Sequence, residues 1–191
     1  MIVPLSRSTT REGKSVDKIT AIFNGIGRFG RKDDVTDARA GAELNFRANK
    51  HLTFVTSALA RGDEVVENHR HYETRLAVGA TLSAIWNHVT FRDRNLYEYR
   101  VRSGRNNISV YRNRFQAIFP LKHNGKTLFS PFLSEEAFYD FHASRFNNNE
   151  LFLGISRRLS SRTDLDIAYI RNDTNPANVN GISLNLKIKL R

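Results

Sequence analysis

Apolar and polar residues alternate with a period of two along most of this 191-residue chain. The pattern is clearest near the C-terminus, where serine, asparagine and lysine alternate with Ile182, Leu184, Leu186, Ile188 and Leu190. Successive side chains of a β-strand point to opposite faces of its sheet, so this spacing predicts strands with one apolar and one polar face.

About ten segments show this alternation, and several of them approach the roughly 9–11 residues that a tilted membrane strand requires. They are residues 17–29, 39–47, 52–60, 67–78, 88–102, 107–119, 127–141, 150–156, 165–169 and 182–190. No apolar run approaches the roughly 18 residues of a transmembrane helix. The pattern therefore predicts an all-β fold, a single antiparallel up-and-down transmembrane-type β-barrel of about ten strands.

We expect residues 1–16 to form an N-terminal extension and residues 17–191 to form the barrel. The segment Met1–Ser15 lacks the apolar stretch of a secretory signal peptide. Polar segments such as 61–66 and 142–149 are predicted to be the longer loops, because they are rich in Asp, Asn and Gly.

The composition narrows the possible chemistry. The absence of cysteine excludes disulfides, thiolate metal sites and a cysteine nucleophile. The formal charge is +11, and 22 of the 30 basic residues are arginine, which favours forked ion pairs with carboxylates. The basic residues are spread over every strand without a recognition helix, so we expect no nucleic-acid partner. We also expect no cofactor.

The direction of the polar face distinguishes two kinds of barrel. In a soluble lipocalin-like barrel the apolar face lines the interior, whereas in a membrane barrel it faces lipid. Arginine and glutamate share the polar face, which suits a cross-linked interior. The apolar face carries aromatic residues typical of membrane interfaces, among them Tyr97, Tyr99, Phe115, Phe119, Tyr139 and Phe141. Both features favour the membrane orientation.

A ladder of charged residues is the largest feature of the polar face. Its members are Arg92, Arg94, Glu98, Arg100, Arg112, Arg114 and Glu136. We expect them to form an ion-pair network in the lumen, because long side chains nearly fill a barrel of about ten strands and buried charges require partners. The alternative function of this ladder is binding of a small anionic solute.

The order of these charges along the chain resembles a family of uncharacterised bacterial outer-membrane β-barrel proteins classed as a domain of unknown function. The similarity covers about residue 20 to the end and lies in residues 91–100, Tyr111-Arg112-Asn113-Arg114, Glu135-Glu136-Ala137-Phe138 and the closing hairpin Leu151–Leu190. It implies location in the bacterial outer membrane, with lipid and lipopolysaccharide as partners, and implies no activity. Such barrels usually end in an aromatic residue, whereas this chain ends in Leu190-Arg191.

Two local groups of residues are candidates for chemical sites. One strand face carries Glu67, His69 and His71 at two-residue spacing, and such a group could hold a metal ion. Side chains that only line a polar lumen show the same spacing. Ser134, Asp140 and His142 are the nearest residues for a hydrolase, but their spacing matches no nucleophile motif. The catalytic residues of the alternative, an outer-membrane enzyme of the lipid hydrolase type, are therefore unassigned.

Overall fold

The computed structural model describes residues 1–9, 15–29, 35–66, 69–174 and 178–188. These residues contain twelve β-strands: β1 (Ile2–Thr9), β2 (Ser15–Phe29), β3 (Val35–Arg47), β4 (Leu52–Val66), β5 (His69–Trp86), β6 (Val89–Arg102), β7 (Ile108–Ile118), β8 (Leu121–His123), β9 (Lys126–Asp140), β10 (Arg145–Arg158), β11 (Thr163–Thr174) and β12 (Val179–Ile188).

Each strand pairs antiparallel with its neighbours in one sheet of order β1-β2-β3-β4-β5-β6-β7-β9-β10-β11-β12, and the short β8 pairs with β9. The sheet curls into a half-barrel. The prediction of an all-β, antiparallel, up-and-down fold is confirmed, with twelve strands where about ten were expected.

Two strands carry no alternation from which the sequence could predict them. β1 lies in the segment 1–16, contains Pro4 and Arg7, and pairs with β2 through a ladder with two register shifts around Ser6. β8 has only three residues and follows Pro120, which separates it from β7. Both are short or irregular, so neither displays the regular period of a strand with one buried face.

The prediction of long loops at 61–66 and 142–149 was wrong. β4 continues to Val66, and β10 begins at Arg145 after a short turn in which Ser144 has a φ of 51°. Strands of a hairpin continue to pair wherever backbone partners remain available, even where neither face is apolar. The polar composition of residues 61–66 and 142–149 therefore indicates where the apolar face of the strands ends, and not where the strands themselves end.

The face that carries the arginines is concave. Arg94 on β6 contacts Glu43 on β3, although β4 and β5 lie between them, so the sheet must bend towards this face. Gly79 and Gly154 lie on the same face. A Cβ atom on Gly79 would lie 1.9 Å from the carbonyl oxygen of Asn95, and one on Gly154 would lie 2.5 Å from the Phe132 ring. Glycine thus permits the close approaches that accompany curvature.

The convex face is apolar and exposed over most of its area. Its large exposed side chains include Leu44, Phe54, Val78, Tyr97, Phe115, Leu153, Ile167, Ile182 and Leu184. Most buried apolar residues lie on the concave face instead, in small groups such as Val55, Ala77 and Leu96. The sheet therefore has its polar and charged residues inside the curve and much of its apolar surface outside.

Candidate functional site

The charged residues of β6, β7 and β9 form a continuous line of ion pairs across the concave face. Their alternate positions point to this face, and the strand register places Arg114 directly opposite Glu136. Arg112 lies one rung away, on the same face and between the two glutamates. The order of the line is Arg100, Glu98, Arg112, Glu136 and Arg114.

Both glutamates of the line are almost completely buried and accept from two guanidinium groups each. Glu98, with 3% of its side chain exposed, accepts from Arg100 Nη2 at 2.8 Å and from Arg112 Nη1 at 2.9 Å. Glu136, with 1% exposed, accepts from Arg112 Nε and from Arg114 Nη2, the latter at 2.5 Å. Three arginines and two glutamates leave one formal positive charge on the line.

Aromatic rings complete the surroundings of these guanidinium groups. The Phe138 ring lies 5.8 Å from the guanidinium carbon of Arg100 and 5.4 Å from that of Arg112. The Phe152 ring lies 5.2 Å from that of Arg114. The π-faces attract cations, so they help to hold the arginines in fixed orientations. The sequence did not predict that Phe138 and Phe152 contact guanidinium groups, although both residues alternate with the apolar face of their strands and so share the polar face.

Two further predicted members lie outside the line. Arg94 pairs through Nη2 with Glu43, which is 51 residues away in the chain. Arg92 lies on the same face of β6, is exposed, and interacts electrostatically with Asp166 on β11. A separate pair joins Arg75 Nε to Glu73 at 2.5 Å.

The histidine segment is only partly described. Glu67 lies outside the described residues, as does the side chain of His69, and the half-buried His71 faces Asp63 across the ladder between β4 and β5. Within the described residues no three His, Asp or Glu side chains are placed to hold a metal ion. The metal site on Glu67, His69 and His71 therefore stays a prediction.

The candidate hydrolase residues do not come together. Ser134 and Asp140 are six residues apart on the extended β9, a separation of about 20 Å. Asp140 instead accepts from the backbone N–H groups of His142 at 2.8 Å and Ala143 at 3.1 Å, and from the Asn147 amide at 3.1 Å. The aspartate stabilises the turn between β9 and β10.

A polar cluster on the convex face was missed by the sequence analysis. Asn113 donates to Asp93 at 2.6 Å and to Asn95 at 2.9 Å, and Tyr111 donates to Asn95. Apolar and aromatic side chains, including Phe115 and Tyr97, lie on the same face on either side of the cluster. In the sequence the cluster is visible as polar residues at positions 93, 95 and 113, where the alternation otherwise places apolar ones.

Residues 27–182 match the family described as "Protein of unknown function (DUF2490)". The chain belongs to this family. All residues of the ion-pair line fall inside the match, whereas β1 falls outside it. The predicted resemblance to an uncharacterised outer-membrane β-barrel family is confirmed.

Among solved structures, the chain is similar to the anion-selective porin from Comamonas acidovorans, with 11% sequence identity and a TM-score of 0.45. The similarity covers 97% of this chain and 63% of the porin. No curated protein matches the chain. The described residues contain no helix that is long and apolar enough to cross a membrane.

Proposed function

We propose that this DUF2490 chain is an integral protein of the bacterial outer membrane whose interior is held by fixed arginine–glutamate pairs. Its role is passive, being structural, solute-binding or transport of small solutes, and its outer partners are lipid and lipopolysaccharide. The observation that carries the proposal is the inverted distribution of polarity. Ile182 is 78% exposed and Leu184 69% exposed on the convex face, whereas Glu136 is 1% exposed on the concave face.

This distribution favours a membrane barrel over a soluble lipocalin-like one. A soluble barrel buries the apolar face of its strands in the interior and exposes the charged face to water. Here the charged face of the strands lies inside the curve, and the apolar face lies outside. Lipid stabilises such an outer surface, since the cost of exposing it to water is about 25 cal/mol for each Å².

Membrane insertion is tested with Trp86, the single tryptophan of the chain, which is 68% exposed at the end of β5. Purified protein is mixed with phosphatidylcholine vesicles, which are then floated on a density gradient. We expect the protein to float with the vesicles and brominated acyl chains to quench Trp86 fluorescence. Monodisperse protein in detergent-free buffer, with no flotation and no quenching, overturns the proposal.

The fixed ion pairs support a lumen that does not conduct large solutes. Each pair holds two long side chains in the interior, and the pair of Arg94 with Glu43 crosses the inside of the curve between β6 and β3. In planar bilayers we expect no large, stable conductance steps of the size that open porins give. Such steps from the pure protein contradict the proposal of a crowded lumen.

A small anion is the solute class that the concave face fits best. The ion-pair line has one more arginine than glutamate, and the exposed Arg92 adds a guanidinium group on the same face. If the protein binds a solute there, small carboxylates or phosphate at millimolar concentration raise its melting temperature, and Arg92→Gln reduces that increase. An equal increase in both proteins assigns the effect to another site.

A further inference from the structure

The direction of the strands limits how this sheet closes. Eleven strands follow one another along the sheet from β1 to β12, because β8 lies to the side of β9. Every neighbouring pair is antiparallel. Directions therefore alternate, and the first and eleventh strands of this series, β1 and β12, run the same way.

β2 and β12 run in opposite directions and can join through an antiparallel ladder. The strands from β2 to β12 along the sheet are ten, an even number as in bacterial single-chain barrels. Within the described residues, the edge of β12 away from β11 has no strand partner. The corresponding edge of β2 is covered by β1.

β1 is a weaker partner for β2 than an ordinary barrel strand. Its ladder is broken between Pro4 and Ser6 and again between Ser6 and Arg7. Proline cannot donate a backbone hydrogen bond and is typical of edge strands. The family match begins at residue 27, inside β2, and ends at residue 182, inside β12, so it includes neither β1 nor the residues of β2 that pair with β1.

The two candidate edges have compatible faces. Ala21 and Phe23 point to the convex face of β2, and Ile182 and Leu184 point to the convex face of β12. The concave face of β12 is polar at the intervening position, Ser183. An antiparallel ladder between these strands therefore extends the apolar surface on the convex side. On the concave side β2 presents Thr20, Ile22 and Asn24, so that face is mixed.

We propose that the edge of β2 now paired with β1 is the pairing surface for β12, and that β1 is a removable strand which covers this surface until the barrel closes. The proposal rests on the proposed membrane function, because closure removes the open edges in an environment where unpaired backbone groups are costly. In the closed form β1 leaves the sheet and becomes accessible to water.

Paired cysteines test this directly, since the chain has no cysteine of its own. Facing residues of an antiparallel pair lie about 4.5–5.5 Å apart at Cα, a distance that a disulfide spans. The full-length protein carries one pair at a time in phosphatidylcholine vesicles and is oxidised with copper phenanthroline. Ile167→Cys with Leu184→Cys, which face each other in β11 and β12, is the control for an intact sheet.

The test compares two sets of pairs. Val3→Cys with Ala21→Cys reports β1 on β2, where these residues face each other. Nine pairs combine cysteine at Ile19, Ala21 or Phe23 with cysteine at Ile182, Leu184 or Leu186 and report β12 on β2. We expect cross-linking of at least one β2–β12 pair to the extent of the control, and at least a tenfold lower yield for the β1–β2 pair.

Each remaining outcome decides against the proposal. A β1–β2 yield equal to the control shows that β1 stays in the sheet, and failure of all nine β2–β12 pairs beside a working control shows that β12 does not reach β2. Single Val3→Cys adds a separate measurement, because a displaced β1 reacts with a membrane-impermeant maleimide and a paired one is protected. If the protein does not float with vesicles, the membrane function itself fails.

Discussion

Replacing Glu136 by glutamine removes one negative charge from the most enclosed position of the ion-pair line while the side-chain shape is retained. Two interactions lose their charge, those with Arg112 Nε and with Arg114 Nη2. Arg112 keeps its contact of 2.9 Å with Glu98, whereas Arg114 keeps no carboxylate partner among the described residues. The variant therefore leaves the interior with an uncompensated guanidinium group.

The expected loss of stability follows from these contacts. A hydrogen bond to a charged group contributes about 1.5–3 kcal/mol, and removal of one partner of a buried pair costs about 3–5 kcal/mol. Arg114 has 36% of its side chain exposed, so water reaches it and lowers the cost. We expect a decrease of about 3 kcal/mol in the free energy of unfolding, which is roughly a 150-fold change in the folding equilibrium.

Urea titration in phospholipid vesicles, followed by Trp86 fluorescence and by the change in gel mobility on heating, measures this loss. Glu135→Gln is the matched control, because Glu135 is the preceding residue, is exposed on the convex face and accepts a hydrogen bond from the Asn149 amide at 2.8 Å. We expect the control to change stability by less than about 1 kcal/mol. Equal stability of Glu136→Gln and the unmodified protein refutes the reasoning that the line stabilises the barrel.

Three other variants test separate parts of the structure. Gly79→Ala places a Cβ atom 1.9 Å from the Asn95 carbonyl oxygen and should destabilise by at least about 1–3 kcal/mol in the same titration, whereas Gly25→Ala, with no atom within 4 Å of its Cβ position, should not; equal effects contradict the role of Gly79 in curvature. Glu43→Gln breaks the contact with Arg94 across the curve and should cost about 2–3 kcal/mol, and no loss would show that this pair does not hold β3 to β6. Asp173→Asn removes an exposed pair with Arg171 and should leave the urea midpoint unchanged, so a clear shift would show that exposed pairs also contribute.

The fold could be predicted from the sequence because a period of two is a local property. Each of the ten alternating segments coincides over most of its described length with a strand, and residues 67, 68, 189 and 190 lie outside the described part of the chain. The antiparallel order follows from short connections between neighbours. β1 was not predictable in this way, since an irregular strand at the edge of a sheet needs no alternation. Its pairing depends on the edge that β2 offers, and this is a property of the assembled sheet.

The shared face of the charged residues could be predicted, but their partners could not. Parity alone places Arg112, Glu98 and Glu136 on one face, whereas the choice of partner depends on strand register and curvature. Arg94 shows the difference, because its carboxylate partner Glu43 belongs to a strand three positions away in the sheet. The Phe138 ring beside two guanidinium groups likewise depends on packing that no single strand reveals.

In the membrane location proposed above, the polar cluster of Asp93, Asn95 and Asn113 on the convex face lies against lipid. Acyl chains supply no hydrogen bonds, so lipid that touches a carboxylate and amide groups at this position is less well solvated than lipid beside Tyr97 or Phe115. Headgroups and water move towards such groups, and the hydrocarbon layer becomes thinner on this side of the wall. A membrane protein with one thin and one thick side tilts in the bilayer and favours neighbours with a matching thin side. If the proposed membrane location is correct, we expect this cluster to influence the orientation of the protein among its lipids.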